Sequence, residues 1–207
     1  LSRQHRLVAA QSFQRVGAQH LSHYRFRHLL FQKYLYDHLD LMERAHLHEA
    51  LGDQLEGLYR DQVAAGEALE LGAQFPPVAE GAVQLARHFQ AAGIVAKAAE
   101  YRLHAGIRAS LLSANEEAAG HFNQGVALLE TLPASQERAV QELRLQNALA
   151  NTLTSIRTPT DPEVVRVYAR IQELREQMDE VPLLLLNGVL WVLYFFRSSR
   201  AEYEKAI

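Results

Sequence analysis

The sequence predicts an all-α fold, a stack of helical hairpins preceded by a small β-hairpin element. From about residue 28 onward, apolar residues recur at three- and four-residue spacing, the period of a helix with one covered face. Helix-start signals return at short intervals, as consecutive hairpins require. Only residues 11–27 depart from this, with aromatic and basic residues alternating at period two.

That departure comes first in the chain. Tyr24-Arg25-Phe26-Arg27-His28 alternates as a strand with one covered face does, and Gly17 with Gln19-His20 is placed to turn an earlier strand, Ser12 to Val16, into a hairpin. Helices are expected near 28–39, 41–60, 79–92, 95–112, 114–131, 136–154, 162–179, 183–197 and from 200 on. In the second of these, Ala45, Leu47, Leu51, Leu55 and Leu58 form an apolar stripe. Asp40-Leu41-Met42-Glu43 has capping-box spacing, in which an Asp oxygen accepts a free amide and Glu43 reaches back. Ser113 to Glu116 and Ser199 to Glu202 give the same kind of start, and Thr160-Asp161-Pro162-Glu163 adds a proline where a first-turn amide lacks a partner anyway. Gly66, Gly72 and Pro76-Pro77 mark 61–78 as the linker between two domains.

Small residues recur where helices must approach closely. Ala98-Ala99-Glu100-Tyr101 with Ala105 is echoed by Ala118-Ala119-Gly120-His121-Phe122 with Gly125, and Arg200 to Ala206 begins a further unit. A small residue, an aromatic three or four later and another small residue seven later share one helix face, against which a neighbouring helix docks. This is the pattern of tetratricopeptide-like repeats, with incomplete markers and a period that departs from the usual length.

Composition narrows the function. With 48% hydrophobic residues, the 207-residue chain can bury a core. The absence of cysteine removes disulfides, thiolate catalysis and cysteine zinc sites, and fits a reducing, cytoplasmic setting. Leu1 and the helix-like Ala206-Ile207 make both ends read as cut from a longer protein. No signal peptide is expected, because Leu1 to Val16 is laced with Arg, Gln and His. Val181 to Phe196 is interrupted by Asn187 and falls short of the roughly 20 residues that span a bilayer. It reads as a buried helix, and if its neighbours are missing, residues 183–197 form a surface for self-association. Residues 1–36 hold Arg3, Arg6, Arg15, Arg25, Arg27 and Lys33 and no acid, which leaves the remainder at −9 against a total of −3. Such asymmetry points to two modules or to a basic face that meets an anion.

No catalytic chemistry is legible. There is no phosphate-loop or dinucleotide glycine motif, and no serine is flanked by glycines on a sharp turn. His20, His23 and His28 are close in sequence and His46 and His48 lie two apart, but a helix does not bring residues two apart onto one face, so no metal site is expected. The basic N-terminus lacks a helix of base-reading side chains, so DNA is not the expected partner.

Tyr24 to Gln32, followed by Glu43 to Ala50, then Gln84 to Phe89, Lys97 to Tyr101 and Ser113 to Ala118, resemble signal-transduction ATPases with numerous domains. The closer likeness is to the bacterial branch, in which an AAA-like nucleotide-binding module precedes helical repeats. The resemblance implies that residues 1–60 are a winged-helix-like remnant with its β-hairpin and that 79–207 are tetratricopeptide-like repeats. It implies a regulatory, non-enzymatic segment, with ATP or ADP bound by an upstream ATPase domain of the parent protein and none bound within this chain. The repeats are expected to take a protein or peptide partner and pass its occupancy upstream. His28 matches a family histidine that contacts the ADP phosphate, while Leu29 stands where Asp is usual. Two other readings are a winged-helix transcription regulator that touches DNA and a plain structural adaptor.

Overall fold

The computed structural model describes residues 7–16, 19–64, 81–178, 194 and 198. Among them the chain is mostly helical, with one two-stranded antiparallel hairpin. Strands β1 (Val8–Val16) and β2 (Gln19–Phe26) pair from Val16↔Gln19 out to Val8↔Phe26, with a bulge between Ala10 and Ser12. β1 thus extends back beyond the expected Ser12. β2 ends at Phe26; Arg27 still donates its amide to Leu7 O (2.9 Å), and the chain then bends into a helix. The alternation of Tyr24 and Phe26 anticipated one covered face, but Tyr24 is exposed and only Phe26 is partly covered.

Seven helices follow among the described residues: α1 (Leu29–His38), α2 (Leu41–Ala64), α3 (Ala82–Ala91), α4 (Val95–Leu111), α5 (Asn115–Glu130), α6 (Gln136–Ile156) and α7 (Pro162–Gln177). α2 runs four residues into the segment expected as a linker, and 65–78 lies outside the described residues. The expected helix at 183–197, apart from Tyr194, and the start at Ser199–Glu202 lie outside them too.

The helix ends show why the chain divides there. At α2, Asp40 N donates to Glu43 Oε2 (2.9 Å) and Glu43 N to Asp40 Oδ1 (2.8 Å), a reciprocal capping box. Asp161 accepts from Glu163 N (2.8 Å) ahead of Pro162. Ser135 caps α6 by accepting from Arg138 N (3.1 Å). Ser113 departs from expectation and caps no helix start: the residue before α5 is Ala114, with no side-chain cap. Instead Ser113, at φ 60°, closes the end of α4, where Ser113 N donates to Ser110 O and Ala114 N to Ala109 O (both 2.9 Å). Gly93, at φ 78°, closes α3 with the same pair of bonds, Gly93 N to Gln90 O and Ile94 N to Phe89 O.

The described residues form two compact units. The first holds those up to Gly81 together with His88–Ile94, and the second holds Ala82–Arg87 and those from Val95 on. In the first unit, α2 presents His48 and buried Gly52 to residues 88 and 89, and a Cβ at Gly52 would meet the Phe89 ring at 3.0 Å. The predicted stripe turns inward only in part: Ala45, Leu55 and Leu58 are half-buried, whereas Leu47 and Leu51 stay exposed. Periodicity identifies residues that share a face, and small side chains decided which face is approached.

In the second unit, each of α4 to α7 packs on the next, and α4 also touches α6. Ala98, Tyr101 and Ala105 are buried on α4, and Ala118, Phe122 and Gly125 on α5, so the predicted small–aromatic–small stripes are the contact faces. α6 is buried from Glu142 through Leu153 at nine positions and is the centre of this core. Among the described residues no helix is long and apolar enough to cross a membrane.

Candidate functional site

The strand-to-helix junction of the first unit carries the residues singled out from sequence. His28 precedes α1 in extended backbone (φ −127°, ψ 126°), the usual conformation of the residue just before a helix. Its side chain makes no cap hydrogen bond. The ring lies edge-on to Phe31 at 6.0 Å between centroids, and the residue is exposed. Beside it a concavity of about 420 Å³ is lined by Ala9, Arg25, Phe26, Arg27, Leu29 and Gln32. The junction therefore brings Arg25 and Arg27 to one hollow, and His28 borders it in sequence without lining it. Neither arginine has a carboxylate partner among the described residues, so the hollow is a positive, partly apolar surface.

α1 itself has no buried residue. Leu29, Leu30, Phe31, Tyr34, Leu35 and Tyr36 are all exposed, Leu30 to 80%. Six large apolar side chains among ten residues exceed what a water-facing helix carries, and contiguous apolar surface of this kind marks an interaction site. Leu41 and Met42 continue it around the α1–α2 corner, where Leu39 to Met42 and Arg44 line a second hollow of about 460 Å³. Arg44 fixes that corner. It donates through Nε to Leu39 O and through Nη2 to Asp37 O (both 3.0 Å), and lies 4.8 Å over the Tyr36 ring.

A polar chain ties the same helices together. The Tyr36 hydroxyl lies 2.8 Å from His48 Nε2, and His48 Nδ1 lies 2.9 Å from His88 Nδ1. A bond between two Nδ1 atoms needs one ring to donate and the other to accept, so the doubly protonated pair breaks it. Burial lowers the basicity of His88, and the neighbouring His48 lowers it further. In the sequence His48 stands out only beside His46. The exposed His46 is not part of this chain, and His88 lies 40 residues away, beyond any local spacing signal. Among the described residues no three His, Cys, Asp or Glu side chains are grouped to hold a metal ion. The side chains of His20 and His23 lie outside the described ones, although their backbone pairs with Arg15 and Ser12.

No protein-family model, curated protein or solved structure matches the chain.

Proposed function

We propose that this chain is the coupling segment of a signal-transduction ATPase. In this reading the helices from α3 onward are tetratricopeptide-like repeats that receive a protein or peptide partner, and the hairpin with α1 and α2 is a winged-helix-like element that seats an upstream nucleotide-binding domain. The observation that carries the reading is α1, a helix of large apolar side chains with none buried, set beside the basic hollow of Arg25 and Arg27. Such a surface calls for a protein neighbour that covers the apolar face and supplies negative charge, and a domain holding ADP offers both. His28, Arg25 and Arg27 are the groups here that would stand nearest its phosphates.

The test removes the receiving end. Deleting residues 79–207 from the parent protein changes its nucleotide turnover or its oligomeric state, measured by phosphate release and light scattering. Unchanged turnover and unchanged mass would remove the coupling role.

A further inference from the structure

Two half-buried histidines of the second unit have an acid one turn back on their own helix. Glu100 stands 4.0 Å from His104 Nε2, and Glu117 stands 3.7 Å from His121 Nε2. His48 and His88 of the first unit are also half-buried but lack such an acid. At three- and four-residue spacing His48 has Arg44, Ala45, Leu51 and Gly52, and His88 has Gln84, Leu85, Ala91 and Ala92. Glu49 follows His48 directly, is exposed and lies off that face. Glu56, the next acid along the His48 face of α2, is two turns on, about 12 Å along the axis. From α1 the pair is faced by Tyr36, with the exposed Asp37 beside it, and on α3 the exposed Arg87 precedes His88. The two rings therefore meet each other, Nδ1 to Nδ1 at 2.9 Å, without a carboxylate at hand. Next to this bond Phe89, fully buried, seats its ring over Gly52, so polar and apolar contacts close α2 on the end of α3 together.

We propose that His48 and His88 form a proton-operated latch, which keeps α2 closed on the end of α3 until both rings are charged. With no added proton, one ring donates its Nδ1–H to the bare Nδ1 of the other. A first proton goes to the free Nε2 of the donating ring and leaves that bond in place, now charge-assisted. A second proton puts hydrogen on both Nδ1 atoms and sets two cations in contact, so the bond is lost. Burial, and His48 after it, hold His88 below its ordinary basicity. The second step therefore lies below the ordinary histidine value of about 6.5, and each further pH unit shifts the balance about tenfold toward the open form. Tyr36 carries the change to the α1–α2 corner, because its hydroxyl lies 2.8 Å from His48 Nε2 and its ring lies under Arg44. The latch is independent of what covers α1.

NMR of the full chain at pH 7.5 and pH 5.0 tests the latch. The nuclear Overhauser contact between the Phe89 ring and the Gly52 α-protons is expected at pH 7.5 and is lost at pH 5.0. Over the same interval exchange of the Phe89 to Ala91 amides, corrected for its chemical pH dependence, rises at least about tenfold, while α6 amides change little. His88→Asn keeps a donor and an acceptor near the Nδ1 position and cannot take the second proton, so its Gly52–Phe89 contact persists at pH 5.0. His104→Asn leaves the pair intact and opens as the native chain does. Should His88→Asn fail to fold, the native ring titrations decide, since opening has to follow the lower of the two histidine steps. A Gly52–Phe89 contact kept at pH 5.0 in the native chain, or its equal loss in His88→Asn, would overturn the inference. So would opening that tracks neither ring, or that comes only together with loss of α6 protection.

Discussion

Gly106 and Gly120 lie on consecutive helices and face opposite constraints. A Cβ at Gly106 would collide with the Phe122 ring, reaching 2.6 Å from Cδ1 and 2.7 Å from Cζ, and that ring is buried and has nowhere to go. A Cβ at Gly120 meets nothing within 4 Å. Alanine favours a helix over glycine by about 1 kcal/mol, and overpacking a tight core costs about 1–3 kcal/mol. Gly106→Ala is therefore expected to lower unfolding free energy by about 1–2 kcal/mol, and Gly120→Ala to raise it by up to about 1 kcal/mol. Urea titration of both variants checks the opposite signs. The close approach was legible from the small–aromatic–small stripes, since only small residues allow helices so near. The role of Ser113 was not, because a serine two residues before a Glu-rich turn looks like a start signal, and only its left-handed backbone makes it a stop.

Between elements, charge does what apolar contact does elsewhere in the second unit. Glu142 on α6 is only 4% exposed, and its two oxygens are held by Arg170 of α7. Removing the arginine strands a buried carboxylate, whereas replacing both partners with apolar side chains leaves nothing stranded. Arg170→Met is expected to cost about 3 kcal/mol, and adding Glu142→Leu to recover most of it, in a double-mutant cycle read by denaturant unfolding. Helix positions were readable because Asp40, Asp161 and Pro162 announce starts in the sequence itself. The partners of these polar side chains were not, since Glu142 and Arg170 are 28 residues apart and His48 and His88 are 40 apart. The unsatisfied Arg102 Nε had one local signal that charge totals hid. Arg102 has only Ala98, Ala99, Ala105 and Gly106 at three- and four-residue spacing, so no acid on its own helix can pair with it.

At the scale of the whole molecule, three histidines among the described residues shift in one direction. Burial is the largest cause at each. His48 adds to it at His88, Arg144 adds to it at His104 against Glu100, and Arg102 adds to it at His121 against Glu117. Each is less basic folded than unfolded, so the unfolded chain binds more protons as pH falls below the ordinary histidine value of about 6.5. Stability that is fully present above that value is thus lost progressively on acidification. The thermal midpoint is expected to fall from pH 7.5 to pH 5.5, and scanning calorimetry at those two values checks it. Asn in place of His104 flattens the slope. The mostly helical fold followed from periodicity and capping, which are local. The uncovered face of α1 did not, since a sequence of apolar residues reads equally well as core.

That face is where the proposed coupling is most directly exposed to test. Hydrogen exchange of the α1 amides, residues 29–38, is compared between this chain alone and the same residues within the parent protein loaded with ADP. If an upstream nucleotide-binding domain covers α1, exchange there slows at least about tenfold in the parent while α6 changes little. Equal exchange of α1 in both would contradict the account.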